Sequence, residues 1–379
     1  MKRRPSLNST GSNNSRRPSV NSNCSNHSDT DLDASSSNLK SGGLSSWGLN
    51  RGKIVRIESS LSLITYRLNF EVGRGAVSVV YRGTNVEDES DFVAVKRYSL
   101  AYYIDKDKES CLNAIESEIV LLKSLDHPNV VKYIGTSIGT NNIYIVLEYM
   151  ANGSLASLVK LKCGLAENSI AYFIDQILLG LIYLHEKGII HRDIKGANIL
   201  ISRNNVVKLA DFSAALNLGK TMREGEEVAG SPYWMAPEVI DMKLITPACD
   251  IWALGCTIVE MVLGRPPLYD VEPVAALFLI VREAPPPPPQ GVSALLADFL
   301  GQCLRKNPDE RVTAAVLVVH PFLLCKQNPP DQPYLVDEQT TSTYKSDQGV
   351  ASPCQEFCMP SRLPAFDLST DTRSYCDIM

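Results

Sequence analysis

The chain changes character at Asn152-Gly153. Before that point apolar residues alternate in short runs, as in YRLNFEVG, SVVYRG, FVAVKRYSL and NIYIVLEYM, the period-two pattern of strands. One long stretch, SCLNAIESEIVLLKSL, interrupts them with the spacing of an amphipathic helix. After that point the apolar residues recur at helical spacing, as in SIAYFIDQILLGLIYLHEKG and CDIWALGCTIVEMVLG. A strand-rich part followed by a helix-rich part predicts two lobes with a cleft between them.

The flanking text is different. Residues 1–60 begin with a Ser- and Asn-rich stretch almost without aromatics, which cannot bury enough surface to offset its chain entropy and is expected to be disordered. It carries Arg-Arg-Pro-Ser twice, ending at Ser6 and Ser19; these suit a basophilic kinase acting on this chain, and a plain solvated tail is the competing reading. Residues 324–379 turn polar again and are expected to be flexible. Pro285 to Pro289 read as an inter-helix loop in preference to a polyproline ligand.

With 379 residues, 44% of them apolar and 21% charged, the chain can bury a sizeable core. A net charge of -5 gives no basic field, so nucleic acid is not an expected partner. Ten cysteines without a CxxC pair point to no zinc site and to reduced thiols in an intracellular, cytoplasmic setting. No apolar run reaches the roughly 20 residues of a membrane helix.

Chemistry concentrates in five segments. Val72-Gly73-Arg74-Gly75-Ala76-Val77-Ser78-Val79-Val80 follows a strand, and its glycines would let backbone N–H groups approach phosphate oxygens. Val93-Ala94-Val95-Lys96 ends an apolar run on a lysine that needs a counter-charge if buried; Glu118, on the following helix, is its candidate partner, and the pair would hold Lys96 against the α- and β-phosphates of ATP. In His191-Arg192-Asp193-Ile194-Lys195-Gly196-Ala197-Asn198, Asp193 can accept a hydroxyl proton, Lys195 can neutralise the γ-phosphate and Asn198 can hold magnesium. Asp211, in Asp211-Phe212-Ser213, is the second expected magnesium ligand. Gly230-Ser231-Pro232-Tyr233-Trp234-Met235-Ala236-Pro237-Glu238 closes the series.

These segments, in this order, resemble the eukaryotic protein kinase family over residues 66–323. The resemblance implies an α+β, two-lobed fold: a small β-rich N-lobe with one main helix and a larger helical C-lobe. It implies ATP and Mg2+ as cofactors, and adenine held between Val80, Ala94 and Leu200, beside Leu147, with hinge backbone from Glu148 and Met150. Asp250 resembles the residue that braces the catalytic loop, and Arg311 the partner of Glu238. Lys195 and Gly-Ser-Pro-Tyr-Trp-Met resemble serine/threonine kinases, whose substrates are proteins. IHRDIKGANIL and the text around PPLYDVEPVAALFLIVREAPPPPP resemble the kinases that head mitogen-activated cascades, in the epsilon-type and septation branch; an upstream kinase, a downstream kinase as substrate and a small GTPase are the partners this implies. A pseudokinase scaffold is the alternative reading, against which stands the presence of Lys96, Asp193, Asn198 and Asp211.

Two glycines of the family pattern are replaced, by Ser78 and Ser213, and the second is expected to narrow conformational switching at Asp211. Arg192 before Asp193 implies activation by phosphorylation, with Thr221 in LGKTMREGEE the favoured site and Ser231 the second, although Ser231 also suits contact with Asp193 and Lys195. The end, Cys376-Asp377-Ile378-Met379, matches the C-a-a-X prenylation pattern, with Cys354 or Cys358 as a second lipid site for a membrane tether; an unmodified tail is the competing reading.

Overall fold

A computed structural model describes residues 53–58, 63–75, 77–100, 105–217 and 230–326. Ser6, Ser19, Thr221, Cys354, Cys358 and Cys376 lie outside them.

The N-terminal part is an antiparallel sheet of six strands: β1 (Ile54–Glu58), β2 (Leu63–Arg74), β3 (Ser78–Asn85), β4 (Phe92–Ser99), β5 (Tyr133–Ile138) and β6 (Asn142–Glu148). Their order is β1-β2-β3-β4-β6-β5. Strand periodicity sorts the residues by face. Val55, Ile57, Leu68, Tyr81, Val93, Val95 and Val146 line one face and form a small core of their own. Ala94, Lys96 and Tyr98 share the opposite face of β4, toward the helix α1 (Asp105–Ser124).

β1 corrects the expectation that residues 1–60 are disordered. IVRIE alternates: Val55 and Ile57 are 2% and 3% exposed, while Ile54 is open to solvent. Five residues suffice because β2 supplies the ladder, pairing from Ile54 with Arg67 to Glu58 with Leu63. The sheet curls until β1 meets β5 at its other edge. There Ile57 rests on Gly135, and a Cβ at 135 would collide with the Ile57 Cγ2 methyl.

The C-terminal part is built round α5 (Ala248–Leu263), preceded by α2 (Leu155–Lys162), α3 (Glu167–Glu186) and the short α4 (Pro237–Ile240), and followed by α6 (Pro273–Arg282), α7 (Ala294–Cys303) and the short α8 (Ala314–Leu317). Every residue from Cys249 to Met261 is buried, so α5 is surrounded on all sides, with Asp250, Thr257 and Glu260 set among otherwise apolar residues. Phe173, Ile174, Ile177, Trp252, Phe299 and Phe322 fill the large core. Ser154 caps α2 and Ser293 caps α7, each accepting from a backbone N–H one turn on. Pro285 to Pro289 form the connection from α6 to α7. Three two- or three-residue ladder strands, β7 (Ile189–Ile190), β8 (Ile199–Ile201) and β9 (Val207–Leu209), frame the loop that carries Asp193, and β10 (Leu216–Asn217) pairs with β7.

Cys111, Cys249, Cys256, Cys303 and Cys325 are free thiols. Cys163 sits exposed at the left-handed C-cap of α2. Among the described residues no helix is long and apolar enough to cross a membrane.

Candidate active site

The cleft floor starts from a buried carboxylate. Asp250, in the first turn of α5, is fully buried and accepts the backbone N–H of His191 at 3.0 Å and of Arg192 at 2.9 Å, with His185 Nε2 at 2.9 Å. Burial alone would raise its pKa; the His185 bond and the backbone donors outweigh that and hold it below the usual range. Asp250 thus sets the backbone from which Asp193 projects.

Asp193 is met by three donors. Asn198 Nδ2 donates to Oδ2 at 2.7 Å, Lys195 Nζ to the same oxygen at 2.8 Å, and Ser231 Oγ to Oδ1 at 2.8 Å. Lys195 Nζ also reaches Ser231 Oγ at 2.6 Å. Ser231 therefore joins the segment that ends in Glu238 to the loop that carries Asp193.

Behind Gly196 stands Glu260 of α5, whose Oε2 accepts Gly196 N–H at 3.0 Å and Trp234 Nε1 at 3.2 Å. A Cβ at 196 would lie 2.7 Å from Glu260 Oε1, so only glycine lets the carboxylate come this close. Burial pushes the Glu260 pKa up, and those two donors oppose it.

On the other wall Lys96 is buried between two carboxylates. Its Nζ donates to Glu118 Oε1 at 2.8 Å and Asp211 Oδ1 at 2.9 Å. Burial would lower the ammonium pKa, but Glu118 and Asp211 more than reverse that and hold it above the usual lysine range. Burial would raise Asp211, but Lys96 brings it down to about 2. Asp211 has a left-handed φ of 63°, and Ser213 N–H lies 3.4 Å from its Oδ1.

The apolar expectations fall near one another. Met150 and Ala210 are buried with Val131, and Leu147 and Leu200 pack against them. Val80 stands opposite Lys96, and Ala94 opposite Leu147, in the strand register. Val72, Gly73, Gly75 and Ser78 lie on the β2–β3 hairpin, closed by Gly75 N–H to Ser78 O at 2.9 Å. At the hinge Glu148 is more committed than expected. Its N–H goes to Lys132 O at 3.0 Å, and its carboxylate takes Lys132 N–H and Lys208 Nζ. Sequence reasoning passed over Tyr98, His185 and Glu260, which stand one bond behind the expected residues.

Among the described residues no cluster of three His, Cys, Asp or Glu side chains stands ready for a metal. Asp211 and Asn198 with phosphate oxygens would suit magnesium, which takes few protein ligands and keeps phosphate and water oxygens.

A β-rich lobe over a helical one, with a paired lysine on one wall and a hydrogen-bonded aspartate on the floor, defines a phosphotransferase-type cleft of the protein-kinase class. The Protein kinase domain family matches residues 66–323, and the chain belongs to that family. It is 47% identical over 260 residues to MAP3K epsilon protein kinase 1 of Arabidopsis thaliana, covering 68% of this chain and 19% of that protein. It is 45% identical over 256 residues to Cell division control protein 7 of Schizosaccharomyces pombe, covering 68% and 23%. To Cytokinesis protein sepH of Aspergillus niger it is 47% identical over 259 residues, covering 68% and 19%. The chain thus spans about a fifth of the length of these curated relatives.

Proposed function

We propose that the chain is a serine/threonine protein kinase that transfers the γ-phosphoryl group of Mg-ATP to a protein hydroxyl. The observation that carries the reading is the contact of Asn198, Lys195 and Ser231 with one carboxylate, Asp193. Asp193 would accept the substrate hydroxyl's hydrogen bond, and then its proton, as the oxygen attacks phosphorus and the bond to the β-phosphate oxygen breaks, leaving ADP. Lys195 would balance charge on the transferred group, and Lys96, aligned by Glu118, would hold the α- and β-phosphates. Asp211 and Asn198 would hold magnesium, which supplies charge neutralisation at the phosphates when bound. Val80, Ala94 and Leu200 would sandwich adenine, with Met150 and the Glu148 carbonyl as hinge groups, and Gly73, Gly75 and Ser78 would cover the phosphates beside Val72.

The relatives' names support a place upstream in a phosphorylation cascade, with a downstream kinase as substrate, and a role in cell-division signalling. Phosphorylation at Thr221, an upstream kinase or small GTPase, a cytoplasmic address and a prenyl tether at Cys376 extend the reading from sequence alone.

The test is γ-phosphate transfer from Mg-ATP to a generic protein substrate by wild type and Asp193→Asn, with phosphoamino-acid identification. Phosphoserine or phosphothreonine is expected, falling about 10²- to 10⁴-fold in the variant. No transfer by a wild type confirmed phosphorylated in its activation segment overturns the reading.

A further inference from the structure

Glu118 has both carboxylate oxygens engaged, and the second donor is not part of the pairing described so far. Oε1 takes Lys96 Nζ at 2.8 Å; Oε2 takes the Tyr98 hydroxyl at 2.5 Å. The arrangement follows from strand geometry. Lys96 and Tyr98 are two residues apart on β4, so both side chains leave the same face and reach the same point on α1. Tyr98 is 3% exposed and Glu118 5%, and Lys96 Nζ lies 5.3 Å from the centre of the phenol ring.

This places two costs on any outward swing of α1. Lys96 would lose one carboxylate but keep Asp211. Tyr98 would lose its hydroxyl's partner while still buried in the sheet, and an unpaired buried polar group is penalised more than a bond is rewarded. Burial raises the phenol pKa, Lys96 draws it back and Glu118 raises it again; the net is upward, so the hydroxyl stays a donor through any ordinary assay pH.

We propose that Tyr98 is a positioning residue that latches α1 through Glu118 and so sets Lys96 for nucleotide. The proposal rests on the kinase reading above. Tyr98 acts through Glu118 and touches no substrate itself.

Tyr98→Phe in the full chain keeps the ring and removes only the hydroxyl. The expected result is a thermal midpoint close to wild type, a KM for Mg-ATP raised about tenfold and a smaller fall in kcat. In a Glu118→Ala background the same substitution is expected to change nothing further, because its partner is gone. Binding of the fluorescent analogue TNP-ATP reads the same shift without catalysis. If Tyr98→Phe fails to fold, Tyr98→Met, which fills the space without a hydroxyl, enters the same comparison. An active wild type whose variant keeps KM and TNP-ATP affinity within twofold overturns the latch and leaves the kinase reading intact. An equal loss with and without Glu118 also overturns it, by showing a packing role alone. A wild type that binds TNP-ATP but transfers no phosphate overturns the kinase reading; the latch is then decided by the analogue alone.

Discussion

Among the described residues each lobe buries one cation between protein oxygens, Lys96 in one and Arg311 in the other, and the two are built differently. Arg311 in the C-lobe spends its whole planar fork: Nε to Arg305 O, Nη1 to Glu238 Oε1 at 2.5 Å and Ala248 O, and Nη2 to Glu238 Oε2 at 2.6 Å and Lys306 O. The Arg311 and Glu238 side chains are 0% and 2% exposed. Lys96 offers a single ammonium to two carboxylates from separate elements, one of which, Asp211, is 42% exposed toward the cleft. A saturated guanidinium between parts of one lobe is a brace. A point charge shared across α1 and the segment after β9 is a joint, open to solvent on its Asp211 side.

Arg311→Ala should have the largest effect, because it leaves the buried Glu238 carboxylate without its partner. Urea unfolding should show a loss of about 3–5 kcal/mol; a loss under about 1 kcal/mol would mean the brace is no stronger than a surface pair. Lys96→Met should invert the pattern, with transfer down at least about 100-fold while urea unfolding moves less than in Arg311→Ala. Equal destabilisation by the two would erase the distinction between brace and joint. Next comes Gly135→Ala, which drives a methyl into Ile57 and should cost about 1–3 kcal/mol by overpacking. The penalty should disappear when residues 53–58 are deleted, and its persistence would show that β5 clashes with something other than β1.

The smallest effect is the pH dependence of Asp211. Its folded pKa lies at about 2 against an ordinary value of 3.8, so its pairing stabilises the fold above the ordinary value and is lost as pH falls through about 2. Thermal midpoints of wild type and Asp211→Asn should keep a constant gap across the neutral range, and the gap should shrink as pH falls from the ordinary value of 3.8 and close near about 2. A gap that varies across the neutral range would place a different titrating group at the joint.

Lys96, Asp193, Asn198 and Asp211 could be singled out from sequence because each sits in a segment that resembles the family's, and the structure brings Lys96 to Asp211 and Asn198 to Asp193. The pairing of Lys96 with Glu118 was also legible, since a buried lysine demands a carboxylate. Tyr98 was legible in principle, two residues from Lys96 on one strand face, yet an apolar-looking ring at the end of β4 reads as core until its hydroxyl is seen to have a partner. Glu260 was hidden inside an apolar helix, 64 residues from the glycine it meets, and no spacing rule links the two. β1 was overlooked because five residues are short for a strand and the polar text before them dominated the reading.

That short strand has a consequence beyond packing. Family resemblance begins at residue 66, after β1 has ended. A chain started there would expose the outer rim of β2, with its row of unpaired N–H and C=O groups, to any other copy in solution. Ile54–Glu58 occupies that rim, and the edge that remains is five residues long and ends in the charged Glu58, both features that blunt an open strand.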